Sequence, residues 1–235
     1  MIALPKPAAV PASFGLILAS EEIVNALFGY GSFSKNDVTF SNLKGRPMWA
    51  ALNIHEREID FVLKAHRQVL RAAFQYCLTI SLSNPETEGV LKEHCSKLDL
   101  RLSAFEEIQT PGEATQVYFS KEPVNNIKLM RLAPIVFNGN TLAMLDQQKD
   151  PLTAASLCCG ILHGPNTNPY SMEYEGLKSV GAALQIQSSN ELATELNRLY
   201  SANSAASMGI AALDFISCGA ENTCLLYTSD AADER

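Results

Sequence analysis

Five short polar segments carry the residue types from which a ligand site can be built. They are Asn53-Ile54-His55, Ser83-Asn84, Gly139-Asn140-Thr141, Lys149 to Thr153, and His163-Gly164-Pro165. In the third, Gly139 lets the backbone approach a ligand closely, and the amides of Asn140 and Thr141 can face a phosphate; the same residues also form an ordinary turn. In the fourth, Asp150 is placed to cap a helix starting at Pro151. The positive end of that helix, with Lys149 beside it, suits a nucleotide phosphate or a sugar carboxylate, although a capped helix with an exposed lysine has the same pattern. His163 closes an apolar run and reads as a catalytic group, a metal ligand or the punctuation of a strand.

Other chemistry is excluded by what is missing. There is no G-x-S-x-G, no G-x-G-x-x-G and no G-x-x-x-x-G-K-[ST], and the four histidines include no H-x-x-x-H pair. The six cysteines form no C-x-x-C pair, and Cys158-Cys159 is a poor disulfide framework, so the expectation is reduced thiols in a cytoplasmic protein, with no metal and no cofactor. A net charge of −7, with 18 Lys plus Arg and no basic run, argues against a nucleic-acid partner. No apolar run reaches the ~18–20 residues of a membrane span. Prolines interrupt the first twenty residues where a signal peptide would be continuously apolar, so neither export nor a span is predicted.

The elements that must hold these segments follow from hydrophobic patterning. Runs rich in Val, Ile, Leu and Phe alternate with segments of helical period, which predicts an α/β fold with a Rossmann-like parallel sheet and flanking helices. Strands are expected at 15–18, 38–41, 47–52, 76–82, 98–102, 116–119, 134–137, 160–163 and 182–187. Helices are expected at 21–28, 56–74, 87–97, 151–158, 169–180 and 205–216, with another from about 188, where Ser188 and Glu191 have capping-box spacing. In 56–74, Ile59, Val62, Leu63, His66, Val69, Leu70 and Ala73 form one apolar face, which makes His66 a core or boundary histidine rather than a ligand. Ligands of an open parallel sheet bind outside the carboxyl ends of its strands, where most of the polar segments fall.

The stretch Ser41 to Pro47 is the most linker-like, so the predicted units are a partial one at 1–45 and an α/β domain at 46–223. The first is too small to bury a core alone. Residues 224–235, CLLYTSDAADER, have no periodicity and are set apart as adapter-derived sequence or a disordered tail.

Taken in order, several segments resemble the donor-binding half of the bacterial 3-deoxy-D-manno-octulosonic acid (Kdo) transferases, which have the two-domain GT-B architecture. VTFSNLK is similar to that family's V-x-x-x-G-N-L-K, and RPMWAALNIHERE to its R-P-x-W-x-A-x-S-T-H-x-x-E. IDFVLKAHRQVLR matches the helix that follows, MRLAPIVFNGNTL matches R-x-A-P-x-x-F-x-G-G-S-L, and ILHGPNTNPY matches V-L-x-G-P-H-x-x-N-F. Two departures stand out. Ser83 and Asn84 replace the Arg and His of P-R-H-P-E-R, and in QQKDPLTAA Asp150 and Thr153 replace the Asn and Glu of G-G-H-N-P-L-E-P-A.

The resemblance implies a glycosyltransferase whose full-length form moves Kdo from a CMP-activated sugar donor to a lipid A precursor acceptor. It also implies peripheral association with the cytoplasmic face of the bacterial inner membrane, as part of lipopolysaccharide synthesis. The donor-contact residues it implies are Asn53, His55, Ser83, Asn84, Gly139, Asn140, Thr141, Lys149, Asp150, Thr153, Gly164 and Pro165. The carboxylate that activates the acceptor hydroxyl is expected in the preceding domain, so no catalytic residue is expected in this chain, which is predicted to be inactive alone. Two alternatives share the fold: a non-catalytic homologue acting as a binding module, and another nucleotide-sugar enzyme.

Overall fold

All seven residues of Met48–Ile54 are buried, as expected of a strand covered on both faces in the middle of a parallel sheet. A computed structural model describes residues 46–104, 115–120, 126–143, 148–201 and 204–233. The strands expected at 15–18 and 38–41, and the helix expected at 21–28, lie outside the described residues. Within them the order is β1 (Met48–Ile54), α1 (Glu56–Ala72), β2 (Cys77–Leu82), a 3-10 turn (Pro85–Thr87), α2 (Glu88–Lys97), β3 (Leu102–Ala104) and β4 (Val117–Ser120). There follow α3 (Asn126–Leu132), β5 (Ile135–Asn138), α4 (Pro151–Ser156), β6 (Gly160–His163), α5 (Ser171–Ser179), β7 (Ala183–Gln185), α6 (Ser189–Ser201) and α7 (Ser204–Asp233).

The strands form one parallel sheet in the order β3-β4-β2-β1-β5-β6-β7. The chain builds outward from β1 through β2, then returns to lay β5 on the other side of β1. The switch point is therefore between β1 and β5, where an open α/β sheet leaves a crevice at its carboxyl edge. The period of two along β1 sends Trp49 and Ala51 into one apolar layer and Met48, Ala50 and Leu52 into the other. Residues of α1, α2 and α6 fill the first layer and residues of α3, α4 and α5 the second, while α7 contributes to both. This is the predicted α/β class.

His66 is fully buried, as its place on the apolar stripe predicts. Trp49 Nε1–H donates to its Nδ1 at 3.2 Å, and its Nε2–H donates to the Gln116 carbonyl at 3.1 Å. The imidazole thus ties β1, α1 and the approach to β4 together.

The sequence reading and the structure differ where helices end. Residues 98–100 were expected to begin a strand, but they close α2: Leu100 N–H reaches the Cys95 carbonyl and Asp99 N–H reaches that of Ser96, with Asp99 at φ 53°. This is a Schellman motif, and β3 starts only at Leu102. The same motif ends α4 at Cys158 (φ 61°) and α5 at Gly181 (φ 75°), so α4 stops at Ser156 rather than 158. The helix α3 was not foreseen. The helix expected at 205–216 runs on to Asp233, into the residues set apart as a tail. Pro169 lies before α5, not at its first position. Because Asp99 is exposed and holds a left-handed backbone that glycine adopts without a Cβ clash, Asp99→Gly is expected to stabilise the chain by about 0.5–1 kcal/mol in urea unfolding.

Candidate functional site

At the carboxyl end of β1 the backbone turns sharply through Asn53 (φ 57°), whose N–H donates to Ser81 Oγ at 3.0 Å. His55 then caps α1: its Nδ1 accepts from Arg57 N–H at 3.2 Å, and Glu58 three residues on returns a carboxylate oxygen to His55 N–H, also at 3.2 Å. This capping box was readable as H-x-x-E, and it is the signal that pointed to Glu58, which the sequence reading passed over.

Opposite, the 139–142 turn closes on β1. Gly139 N–H bonds the Leu52 carbonyl at 2.8 Å, and a Cβ at Gly139 would lie 2.5 Å from the Asn53 oxygen, so only glycine fits. Asn140, also left-handed (φ 58°), donates its Nδ2–H to the Asn53 carbonyl at 2.8 Å. The Asn140 and Thr141 amides expected to face a phosphate are instead turned onto Glu58, at 2.6 and 3.0 Å.

Thr141 links this turn to β6. Its hydroxyl donates to the Asn138 carbonyl at 2.6 Å and accepts Gly164 N–H at 2.7 Å, while its carbonyl takes Asn166 N–H at 2.9 Å. Gln148 Nε2–H then bonds the Asn166 carbonyl at 2.9 Å, which brings in the approach to α4. The segments at 53–55, 139–142, 148–150 and 163–166 therefore form one connected edge. Ser83 joins it through Ile54, whose carbonyl accepts both its N–H (3.0 Å) and its hydroxyl (3.3 Å).

Other predicted residues are committed locally. Asn84 is exposed, and its side chain caps the 3-10 turn by accepting Glu86 N–H at 3.0 Å. Asp150 caps α4 by accepting Leu152 N–H at 2.8 Å, and the helix it caps has only six residues. Lys149 and Pro165 are exposed. Thr153 is buried, and its hydroxyl has no partner among the described residues; the same holds for Gln148 Oε1 and His163 Nε2.

His163 is 3% exposed, lies 4.3 Å ring to ring from Tyr174, and gives its Nδ1–H to the Gly164 carbonyl at 2.7 Å. Burial pulls its pKa down to about 4, with the charge of Lys178 acting in the same direction. It is a neutral group at neutral pH and far too weak a base to take a proton from a sugar hydroxyl. Among the described residues no three His, Cys, Asp or Glu side chains are grouped to hold a metal, and no helix is long and apolar enough to cross a membrane.

No known family model matches the chain. Over 143 residues it is 23% identical to the 3-deoxy-D-manno-octulosonic acid transferase of Haemophilus influenzae, covering 61% of this chain and 33% of that relative. The crystal structure of the C-terminal CMP-Kdo binding domain of WaaA from Acinetobacter baumannii superposes with a TM-score of 0.66 at 18% identity, covering 74% of this chain and 91% of that one. The chain has the Rossmann-like fold of GT-B C-terminal domains, and its sequence is similar to a Kdo transferase. The C-terminal domain of a group 1 glycosyltransferase, LpcC from Francisella tularensis, shares the fold at a TM-score of 0.53 and 11% identity, over 79% of this chain and 93% of that one. The Kdo transferase-like chain thus spans about a third of the length of its curated relative, and the resemblance read from its strand-end segments agrees with both the sequence and the fold likeness.

Proposed function

We propose that this Kdo transferase-like domain is the donor-binding half of a glycosyltransferase that takes CMP-activated Kdo and, with its acceptor domain, passes the sugar to a lipid A precursor at the cytoplasmic face of the inner membrane. The observation that carries the reading is the joint likeness, in sequence to a Kdo transferase and in fold to a CMP-Kdo binding domain, of a chain whose polar segments meet at the β1/β5 switch point. The units proposed are 1–45 as the end of the acceptor domain, 46–223 as the donor domain, and 224–235 as foreign to both.

In this reading His55, half-buried at the α1 cap, and the exposed Lys149 meet the donor from opposite sides of the switch point. Lys149 supplies positive charge, and the unpartnered Thr153 hydroxyl and Gln148 Oε1 offer hydrogen bonds to ribose or base. Gly139 and Gly164 keep the wall of the cleft close-packed. Glu58 and Asp150 are held by backbone amides, and the resemblance implies that the carboxylate activating the acceptor hydroxyl belongs to the acceptor domain.

A second reading, a non-catalytic binding module, is favoured by specific losses. Ser83 and Asn84 stand where an Arg-His pair would meet phosphate, and both are spent on local hydrogen bonds. Titration calorimetry separates the readings: CMP binding about tenfold tighter than UDP supports the Kdo donor. The reverse preference supports another nucleotide-sugar enzyme, and no heat with either nucleotide supports the binding module.

A further inference from the structure

Glu58 is 1% exposed, yet among the described residues no cation pairs with its carboxylate. It is compensated by backbone alone. Oε2 accepts His55 N–H at 3.2 Å and Asn140 N–H at 2.6 Å, and Oε1 accepts Thr141 N–H at 3.0 Å and Leu142 N–H at 2.9 Å. Three consecutive amides converging on one anion form a nest, the arrangement that elsewhere cradles a phosphate. The first turn of α1 adds the positive end of its dipole. The nest lies at the switch point, where a ligand of this fold would arrive, but the protein's own side chain fills it.

The loop that Glu58 holds is one the chain would not adopt unaided. Asn140 is left-handed, Gly139 is pressed on the Asn53 carbonyl, and Gly164 and Asn166 hang from Thr141. We propose that Glu58 is a positioning residue, an internal anion that permanently occupies the 140–142 nest and sets the cleft wall, so that any phosphate brought to this edge is held outside the nest.

The test needs no nucleotide, so it succeeds or fails independently of the donor assignment. Wild type, Glu58→Ala and Glu58→Gln are melted in sodium formate and sodium chloride at matched ionic strength. Glu58→Ala is expected to melt about 10 °C lower, and to recover at least half of that saturably with formate but not with chloride. Wild type and Glu58→Gln gain nothing saturable from formate, because the nest is filled in both; the carboxamide also sets an N–H against an N–H, so Glu58→Gln stays low. Recovery of Glu58→Ala no greater in formate than in chloride overturns the proposal. If Glu58→Ala yields no folded protein, Glu58→Asp, one methylene short, carries the test by amide hydrogen exchange. Exchange at Asn140, Thr141 and Leu142 is expected to quicken about tenfold or more with β1 and β2 unchanged; unchanged exchange at those three amides overturns it.

Discussion

A Gly164→Ala chain is expected to lose about 3 kcal/mol or more of stability, or to fail to fold, although the change adds a single methyl group. A Cβ at Gly164 would lie 2.2 Å from the Thr141 oxygen, 2.4 Å from its carbonyl carbon and 2.7 Å from the Leu142 nitrogen. All three are backbone atoms, so no side chain can rotate out of the way. The Thr141–Leu142 backbone is itself fixed, because both amides bond Glu58 and the Thr141 hydroxyl accepts Gly164 N–H. Relief would require the cleft wall to open, so nucleotide binding should fall with stability. Gly89→Ala is the matched control. It lies in the first turn of α2 with nothing within 4 Å of its Cβ, and the same substitution is expected to stabilise by about 0.5–1 kcal/mol. Urea unfolding of the pair reads both signs; a Gly164→Ala chain within about 0.5 kcal/mol of wild type would mean that Gly164 and the Thr141–Leu142 backbone do not approach this closely.

Stability is also expected to fall steeply as pH drops below 6.5, through two buried histidines. Burial pulls the pKa of His66 from 6.5 to about 3 and that of His163 from 6.5 to about 4. Hydrogen bonds to the Gln116 and Gly164 carbonyls oppose the shifts, and the charges of Arg46 and Lys178 add to them. Between those values and 6.5 the unfolded chain binds protons that the folded chain refuses. Stability therefore rises with pH through this window, is fully present above 6.5, and is lost as pH falls. Each histidine contributes a slope of about 1.4 kcal/mol per pH unit, so the two together give about 2.7 from near pH 5.5 down to pH 4. Denaturant unfolding at pH 7, 6, 5 and 4 measures it. In His163→Gln the slope should halve whatever the variant's stability at pH 7, and an unchanged slope would show that His163 is not buried neutral.

Much of this architecture is legible along the chain because its determinants are local. The apolar stripe of 56–74 marks α1 and places His66 in the core, where its two hydrogen bonds are found. Apolar runs mark β1, β2, β5 and β6 to within a residue or two, and the polar segments after them fall at the carboxyl edge. What escaped is non-local or depends on backbone sign. The end of α2 reads as a strand because Leu98, Leu100 and Leu102 alternate with polar residues, whereas Asp99 enters the left-handed region, Leu98 and Leu100 serve the helix cap, and only Leu102 begins β3. The amides at 140–142 looked available because their partner lies more than eighty residues earlier in sequence.

The sequence by itself determined the class of fold, the likeness to Kdo transferases and the polar residues that end the strands, since periodicity, strand-end residues and motif order are properties of neighbouring residues. Only the tertiary structure decided which of those residues remain open to a ligand. Once β5 returns beside β1, Glu58 fills the nest, Thr141 latches Gly164, and Asp150 is left with a helix of six residues. A backbone amide accommodates one acceptor well, and whether that acceptor is a ligand or the protein's own carboxylate is settled by which parts of the chain are folded against each other.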